Sequence, residues 1–255
     1  MKISVLTGRS RSVQFALLIL LPAYLVMWLG GLVNYMLVGH PPVDAPWAAS
    51  LFLFLAGLVV LLTSASTGRI NLILAALIGL FAEMVGVRYG FLFSPYSYTS
   101  VLVPQLHGVP LVMLFAWMVL VAYTWQLWTN LFNYSTGGFP FRRILVSLIG
   151  AGWMTAIDLL IDPLAANNLG YWRWVESSPY YGIPYHNFAG WFLVSFFIFI
   201  VIPPPREQNQ LATPVGLSIV IFFTTIALAL KLWIAGLVGI ALVLIDLYFR
   251  SRPRR

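Results

Sequence analysis

Apolar residues form long, almost uninterrupted runs along most of the chain, and polar residues are concentrated between them. Six such runs are 13–38, 47–63, 70–87, 110–128, 144–161 and 188–202. Most of them are near the roughly 20 residues that a helix needs to cross a bilayer. A seventh run, 213–249, is interrupted by Lys231. As one helix it would extend roughly 55 Å, far too long for a single crossing. We therefore expect two helices that meet near Lys231, and eight membrane-spanning helices in total.

The composition agrees with this pattern, since 61% of the 255 residues are hydrophobic and only 8% are charged. These values are typical of a polytopic membrane protein. We expect one all-α integral membrane domain over residues 1–255, a helical bundle, in the cell membrane as a multi-pass protein. The absence of cysteine excludes disulfides, thiolate nucleophiles and cysteine metal sites.

Basic residues are unevenly distributed across the expected topology. With eight spans and a cytoplasmic N-terminus, the inner side receives Lys2, Arg9, Arg11, Arg69, Arg142, Arg143, Arg206, Arg250, Arg252, Arg254 and Arg255. The outer side receives Arg88, Arg173 and Lys231. This asymmetry follows the positive-inside rule and favours two cytoplasmic termini. It also explains the positive net charge without a nucleic-acid partner.

Three acidic residues, Glu83, Asp158 and Asp162, lie inside or at the edge of apolar runs. A carboxyl group in lipid is costly unless it is neutral, paired or in a wet cavity, so such residues indicate a functional site. The third and fifth spans both run outward, which puts all three acids at a similar depth near the outer side. Small residues at helical spacing share their faces and permit close helix packing; they are Ala75, Gly79, Gly86, Ser147, Ala151 and Thr155.

Two outer loops, 88–109 and 163–187, are rich in Tyr, Trp, Pro, Gly and Asn rather than in charge. We expect them to form folded caps. An interfacial belt explains most of their aromatic residues.

Several kinds of chemistry are compatible with buried carboxyls. No metal is expected, because the three histidines come from separate loops and lack the paired spacing of a metal site. Asp158 and Asp162 form an Asp-x-x-x-Asp pair, which could bind the magnesium of a prenyl diphosphate in a membrane prenyltransferase, although a second aspartate-rich segment is lacking. The acids could also serve a proton-coupled transporter of a small apolar or amphipathic molecule. Both readings remain alternatives.

Five sequence blocks occur in a distinctive order. They are FAEMVGVRYGFLFSPYSYT at 81–99, HGVPL at 107–111 followed by Trp117, DLLIDP at 158–163, YWRW at 171–174 and YYGIPYHNFAGW at 180–191. Together they resemble the integral-membrane carotenoid biosynthesis proteins, which include hydratases of acyclic carotenoid end groups such as that of bisanhydrobacterioruberin. The family-like core covers about 70–203. Tyr185 and His186 depart from the family pattern, so His186 takes no role from the resemblance.

The resemblance implies an enzyme that adds water across the terminal double bond of an acyclic carotenoid to give a tertiary alcohol. Protonation, a tertiary carbocation and capture by water are sufficient, and no cofactor is needed. A carboxylic acid kept protonated by burial suits the first step. We assign Asp158 as the general acid and Glu83 and Asp162 as its water-orienting catalytic partners; an exchange of roles between the acid and a partner remains an alternative. A related carotenoid-modifying enzyme remains an alternative.

Aromatic and polar residues of the same blocks are expected to bind the substrate, and aromatic faces can stabilise a cation. These residues are Tyr89, Tyr96, His107, Trp172, Trp174, Tyr181, Asn187 and Trp191. The expected partners are an acyclic-ended carotenoid in the lipid bilayer, water, and other enzymes of a carotenoid pathway.

Overall fold

The computed structural model describes residues 10–39, 45, 47–132, 140–205 and 207–251. In these ranges the chain forms eight helices: α1 (Arg11–Val38), α2 (Ala48–Thr63), α3 (Ser66–Tyr89), α4 (Met113–Phe132), α5 (Pro140–Asn167), α6 (Tyr185–Val201), α7 (Ala212–Ala229) and α8 (Trp233–Ser251). Four short strands lie in the loops: β1 (Tyr96–Tyr98), β2 (Gln105–Leu106), β3 (Val109–Pro110) and β4 (Trp172–Trp174). The expected all-α bundle is confirmed.

The surface of the bundle is suited to lipid. Helices α1, α3, α5, α7 and α8 are long and apolar enough to cross a membrane, while α2, α6 and the 113–128 part of α4 are shorter apolar helices. Large apolar side chains remain exposed along the outer helices, such as Leu18 and Met36 on α1 and Leu237 and Leu244 on α8. Exposed apolar surface of this extent is stable in lipid and not in water. The chain is a membrane protein.

The expected break near Lys231 is confirmed. Helix α7 ends at Ala229 and α8 begins at Trp233. Lys231 adopts a left-handed backbone conformation with φ of 61°. The Leu232 N–H bonds back to the Ala227 carbonyl at 2.8 Å, which closes a tight turn between two antiparallel helices.

Helix α5 is longer than the sequence suggests, because it continues past Asp162 and through Pro163 to Asn167. Proline lacks an N–H, so it leaves the carbonyl four residues earlier without its helical donor. That carbonyl belongs to Leu159, and the Tyr180 hydroxyl donates to it at 2.8 Å. A side chain from the following loop thus replaces the missing bond, and the helix does not end at the proline.

Basic residues gather at the two ends of the bundle in the groups expected from the sequence. Arg69 donates to carbonyls at the end of α2, Arg143 to the Val201 carbonyl at the end of α6, and Arg250 to the Thr213 carbonyl near the start of α7. Lys2, Arg9, Arg206, Arg252, Arg254 and Arg255 lie outside the described residues. Which end faces the cytoplasm remains a prediction.

Both expected caps are folded and packed on one end of the bundle. Strand β1, from the α3–α4 connection, pairs in antiparallel register with β4, from the α5–α6 connection. Strands β2 and β3 form a separate hairpin. Because β1 and β4 come from different loops, their pairing fixes the ends of α3 and α5 relative to each other.

Helix α4 lies at the centre of the bundle, since its residues 117–128 are all buried. Trp117, near the start of α4, is fully buried against Gly79 of α3. A Cβ atom added at Gly79 would lie 2.3 Å from the Trp117 Cγ atom. The indole therefore requires a glycine at this position of α3.

We expect Gly79→Ala to destabilise the protein by about 1–3 kcal/mol, because the added methyl group overpacks the α3–α4 contact. Gly152→Ala is the matched control, since a Cβ atom there meets nothing within 4 Å. Thermal unfolding in detergent should show a lower midpoint for Gly79→Ala alone. Equal midpoints for the two variants would contradict this packing.

Candidate active site

Glu83 of α3 is buried and accepts three side-chain hydrogen bonds. The Tyr96 and Tyr98 hydroxyls both donate to Oε2, the latter at 2.9 Å. The Trp117 Nε1 donates to Oε1 at 3.2 Å. Both carboxyl oxygens are therefore occupied by donors from the cap and from the central helix.

Asp158 and Asp162 lie one turn apart on α5 and are both buried. Asn187 of α6 bridges them, because its Nδ2 donates to Asp158 Oδ2 at 2.7 Å and to Asp162 Oδ2 at 2.6 Å. Both hydrogens of one amide are thus used to hold two carboxyl groups side by side. Two buried negative charges at such short range would repel each other strongly.

Asp162 accepts two further bonds, from the Nε1 atoms of Trp172 at 2.7 Å and Trp174 at 3.3 Å. These tryptophans lie on β4, two residues apart, and so point to the same face. In contrast to Asp162, Asp158 receives a single side-chain donor in the described part of the chain, Asn187. Asp158 Oδ1 is therefore available to a ligand.

The β1–β4 pairing links the two acidic clusters. In its register Tyr96 lies opposite Trp174 and Tyr98 lies opposite Trp172. The ring centroids of these pairs are 4.9 and 5.7 Å apart. Ser97 and Arg173, the middle residues of the two strands, are exposed. Alternation along two short strands thus directs four aromatic donors inward, two to Glu83 and two to Asp162.

The tyrosines of β1 remain protonated donors. Burial raises the pKa of Tyr96 and of Tyr98 well above the ordinary value, and the neighbouring Glu83 carboxyl raises it further. A phenol under these conditions gives its hydrogen bond to the carboxyl and keeps its proton.

An apolar cavity opens beside Asp158 between the cap and the helices. It is lined by Leu53, Leu102, Met113, Ala116, Leu120, Ile157, Asp158, Ile161, Tyr171, Trp172, Trp191, Ile219 and Phe223. Asp158 is the only carboxyl group in this lining. The cavity has a free volume of about 60 Å³. One water molecule needs roughly 10–15 Å³ of such volume. The cavity therefore has room for several waters or a small branched apolar group.

Trp191 connects the cavity wall to the Glu83 cluster. Its ring stacks on that of Trp117, with centroids 4.4 Å apart and planes 12° apart. Trp117 is the donor to Glu83 Oε1. Glu83 does not line the cavity itself and is connected to its wall through Trp117 and Trp191.

The structure brings most of the residues proposed from the sequence together, but not all. Glu83, Asp158, Asp162, Tyr96, Trp172, Trp174, Asn187 and Trp191 form one connected network. Tyr89 is 75% exposed at the end of α3. The Tyr181 hydroxyl accepts from the Ile234 N–H, where it caps the start of α8.

His107 also lies away from the network. It is exposed in the two-residue turn between β2 and β3, where His107 and Gly108 have φ values of 49° and 81°. Positive φ at both positions is the geometry of a tight hairpin turn, and histidine tolerates it better than most residues. The backbone conformation of this turn therefore explains why the HGVPL block begins with a histidine followed by a glycine.

Three residues of the site, Tyr98, Trp117 and Tyr171, are absent from the set derived from the sequence. The signal for Tyr98 is the Tyr-x-Tyr spacing, which puts it on the same strand face as Tyr96. Trp117 and Tyr171 belong to the sequence blocks that carry the family resemblance, but helix packing and the α5–β4 connection determine their contacts with the site.

Asp246 of α8 forms a second buried acidic position away from this network. Its Oδ2 lies 2.6 Å from the Arg250 Nε, and its Oδ1 accepts from the Tyr123 hydroxyl at 3.1 Å. Asp246 and Arg250 thus form an i,i+4 ion pair within α8. Within the described residues no three His, Asp or Glu side chains are grouped as a metal ion would require.

We expect Asn187→Ala to destabilise the protein substantially, because each buried carboxyl that loses its donor costs about 1–3 kcal/mol. Asn167→Ala is the control, since it removes a single exposed bond to the Tyr181 carbonyl. Unfolding midpoints in detergent should fall by several degrees for Asn187→Ala and little for Asn167→Ala. A midpoint for Asn187→Ala that matches the control would show that the bridge does not stabilise the fold.

Comparison with known proteins identifies the family of the chain. Bisanhydrobacterioruberin hydratase from Haloarcula japonica is 35% identical over 114 residues, which are 44% of this chain and 36% of that relative. The similarity thus spans about a third of the relative's length. No solved structure matches the chain. The family described as carotenoid biosynthesis protein matches residues 47–246, and the chain belongs to this family.

Proposed function

We propose that this protein is a carotenoid hydratase, which adds water across the terminal double bond of an acyclic carotenoid end group. The observation that carries the proposal is Asp158, a buried carboxyl group in the wall of an apolar cavity with one oxygen available. The family works in carotenoid biosynthesis, and one relative is named for hydration of such a carotenoid.

In the proposed reaction, the Asp158 carboxylic acid transfers its proton to the less substituted carbon of the terminal double bond. The new C–H bond leaves a tertiary carbocation, and Asp158 becomes a carboxylate. Water then forms a C–O bond to the cation, and its surplus proton returns to Asp158. The net change is the addition of one water molecule, and the acid is regenerated without any cofactor.

The cavity wall suits a short-lived cation. Tyr171, Trp172 and Trp191 present aromatic groups beside Asp158, and a desolvated cation over such a ring gains about 2 kcal/mol or more. The remaining lining is mostly aliphatic and contains no basic side chain. It accommodates a hydrocarbon end group while limiting the number of waters near the cation.

Glu83 and Asp162 have supporting roles in this proposal. Each accepts three hydrogen bonds, so neither has the free oxygen that Asp158 has. Asp162 shares the Asn187 amide with Asp158, and a negative charge on either acid would favour a proton on the other. Glu83 anchors β1 and thereby the cap that covers the cavity.

We further propose that the chain spans the cell membrane several times and that both ends face the cytoplasm. The carotenoid would enter from the bilayer, and the capped end with the acidic network would face outward. The two groups of basic residues at opposite ends of the bundle support this orientation.

Asp158→Asn should abolish hydration, with a loss of at least about 100-fold, because an amide cannot act as the proton donor. The measurement is the mass of pigments from cells that make an acyclic carotenoid, in which each hydrated end adds the mass of one water. Glu207→Gln is the matched control, since it makes the same chemical change at an exposed position. Hydrated pigment at the control level from Asp158→Asn would remove this residue from the mechanism.

The orientation can be tested with single cysteines, because the chain has none. Arg88→Cys and Ser251→Cys change exposed residues at opposite ends of the bundle. An impermeant maleimide should label Arg88→Cys in intact cells and Ser251→Cys after permeabilisation only. The reverse pattern would mean that the acidic network faces the cytoplasm.

A further inference from the structure

Asn187 holds the proposed proton donor without being part of the cavity wall. It lies buried in the first turn of α6 and donates to both Asp158 and Asp162. The described residues that line the cavity include Asp158 and Trp191 but not Asn187. Residues four apart share one face of a helix, so Asn187 and Trp191 approach the site from the same side of α6. Asn187 therefore reaches a ligand of this cavity through the carboxyl groups that it holds.

The first turns of α6 have a fixed place in the bundle. A Cβ atom added at Gly190 would lie 2.1 Å from the Leu92 carbonyl oxygen, so the backbone of α6 directly contacts the connection between α3 and β1. The Trp191 ring stacks on that of Trp117 from α4, with centroids 4.4 Å apart. A shift or rotation of this part of α6 would break both contacts. The Asn187 amide is thus held at a defined position beside α5.

An amide suits this position better than other polar groups. It carries two N–H donors in one plane and does not exchange its protons with a neighbouring acid at ordinary pH. A hydroxyl would supply one donor, and an ammonium group would add a charge. The Asn187 Nδ2 atom uses both hydrogens, at 2.7 Å from Asp158 Oδ2 and 2.6 Å from Asp162 Oδ2. It can therefore hold both carboxyl groups while one of them gains or loses a proton.

The bond to Asn187 restrains the Asp158 carboxyl group. Rotation about the Cβ–Cγ bond would remove Oδ2 from the amide, so Oδ1 keeps one direction. Proton transfer depends on such placement, and an error of about 1 Å can cost roughly 100-fold in rate. When Asp158 gives up its proton, the amide bond gains a charged acceptor and becomes roughly twice as strong. A bond that strengthens during the reaction lowers the barrier to it.

We propose that Asn187 is a positioning residue for proton transfer: its amide holds Asp158 Oδ2 and thereby presents Oδ1 to the substrate. This inference rests on the proposed hydration with Asp158 as the acid. Asn187 touches neither the substrate nor the attacking water in this role. Its contribution is to the rate of the chemical step and not to the binding of the carotenoid.

Asn187→Ala tests the proposal through kcat and KM measured separately. Initial rates of hydrated product are determined by mass for the purified protein in detergent, over a range of lycopene concentrations and well below the unfolding midpoint. We expect kcat to fall at least about tenfold, as for the loss of a hydrogen bond to a charged group. KM should stay close to its original value, because no contact with the substrate is removed. Asn167→Ala is the control and should leave both constants unchanged.

A second variant separates positioning from the simple linkage of two helices. Asp162→Asn combined with Asn187→Asp exchanges the amide and the carboxyl group, which keeps the charge and the size of the cluster. The new amide at 162 can donate to the new carboxyl at 187, so the link between α5 and α6 is kept. Asp158 loses its amide donor and faces a carboxyl group that competes for the same proton. We expect an unfolding midpoint above that of Asn187→Ala, with kcat still at least about tenfold below that of the unchanged protein.

The outcomes separate this inference from the proposed function. If the unchanged protein forms no hydrated product, hydration is wrong and this inference with it. If the unchanged protein hydrates and Asn187→Ala keeps its kcat, Asn187 does not position the acid. A rise in KM at constant kcat would also overturn the inference, because Asn187 would then bind the substrate. Recovery of kcat together with the unfolding midpoint in the exchanged variant would show that Asn187 only links the helices.

Discussion

The structure depends on the requirement that three carboxyl groups inside a lipid-surrounded bundle find hydrogen-bond donors. Water cannot supply these donors at the centre of packed helices, and an unsatisfied buried carboxyl is costly. Asn187 serves two of the acids with one amide, and four aromatic side chains of the cap serve Asp162 and Glu83. The cap is therefore part of the bundle's polar core as well as its cover.

This arrangement distinguishes the three acids chemically. Glu83 and Asp162 are saturated with donors, whereas Asp158 has one donor and lies in the cavity wall. Differences in hydrogen bonding of this kind separate the roles of neighbouring carboxyls in many enzymes. The same contacts that stabilise the fold leave one carboxyl group in the apolar cavity wall with a single side-chain donor from the described residues.

Much of the fold was predictable from apolar run length. The eight helices lie where the runs lie, and the break at Lys231 follows from the limited thickness of a bilayer. The end of α5 was not predictable, because the Tyr180 hydroxyl compensates for Pro163 from a residue distant in sequence. The place of His107 in an exposed turn was likewise missed, since its motif suggested chemistry where the backbone conformation explains the residue.

The sequence by itself determined the class of protein, the positions of its helices and the three acids, because hydropathy and the cost of charge in lipid are properties of local composition. The tertiary structure alone decided which acid is available. The number of donors that each acid receives depends on the β1–β4 register and on the Asn187 side-chain amide of α6. Both involve contacts between residues far apart in the chain. Helical periodicity can put a carboxyl on an inward face, but only the packed neighbours determine how many donors it meets there.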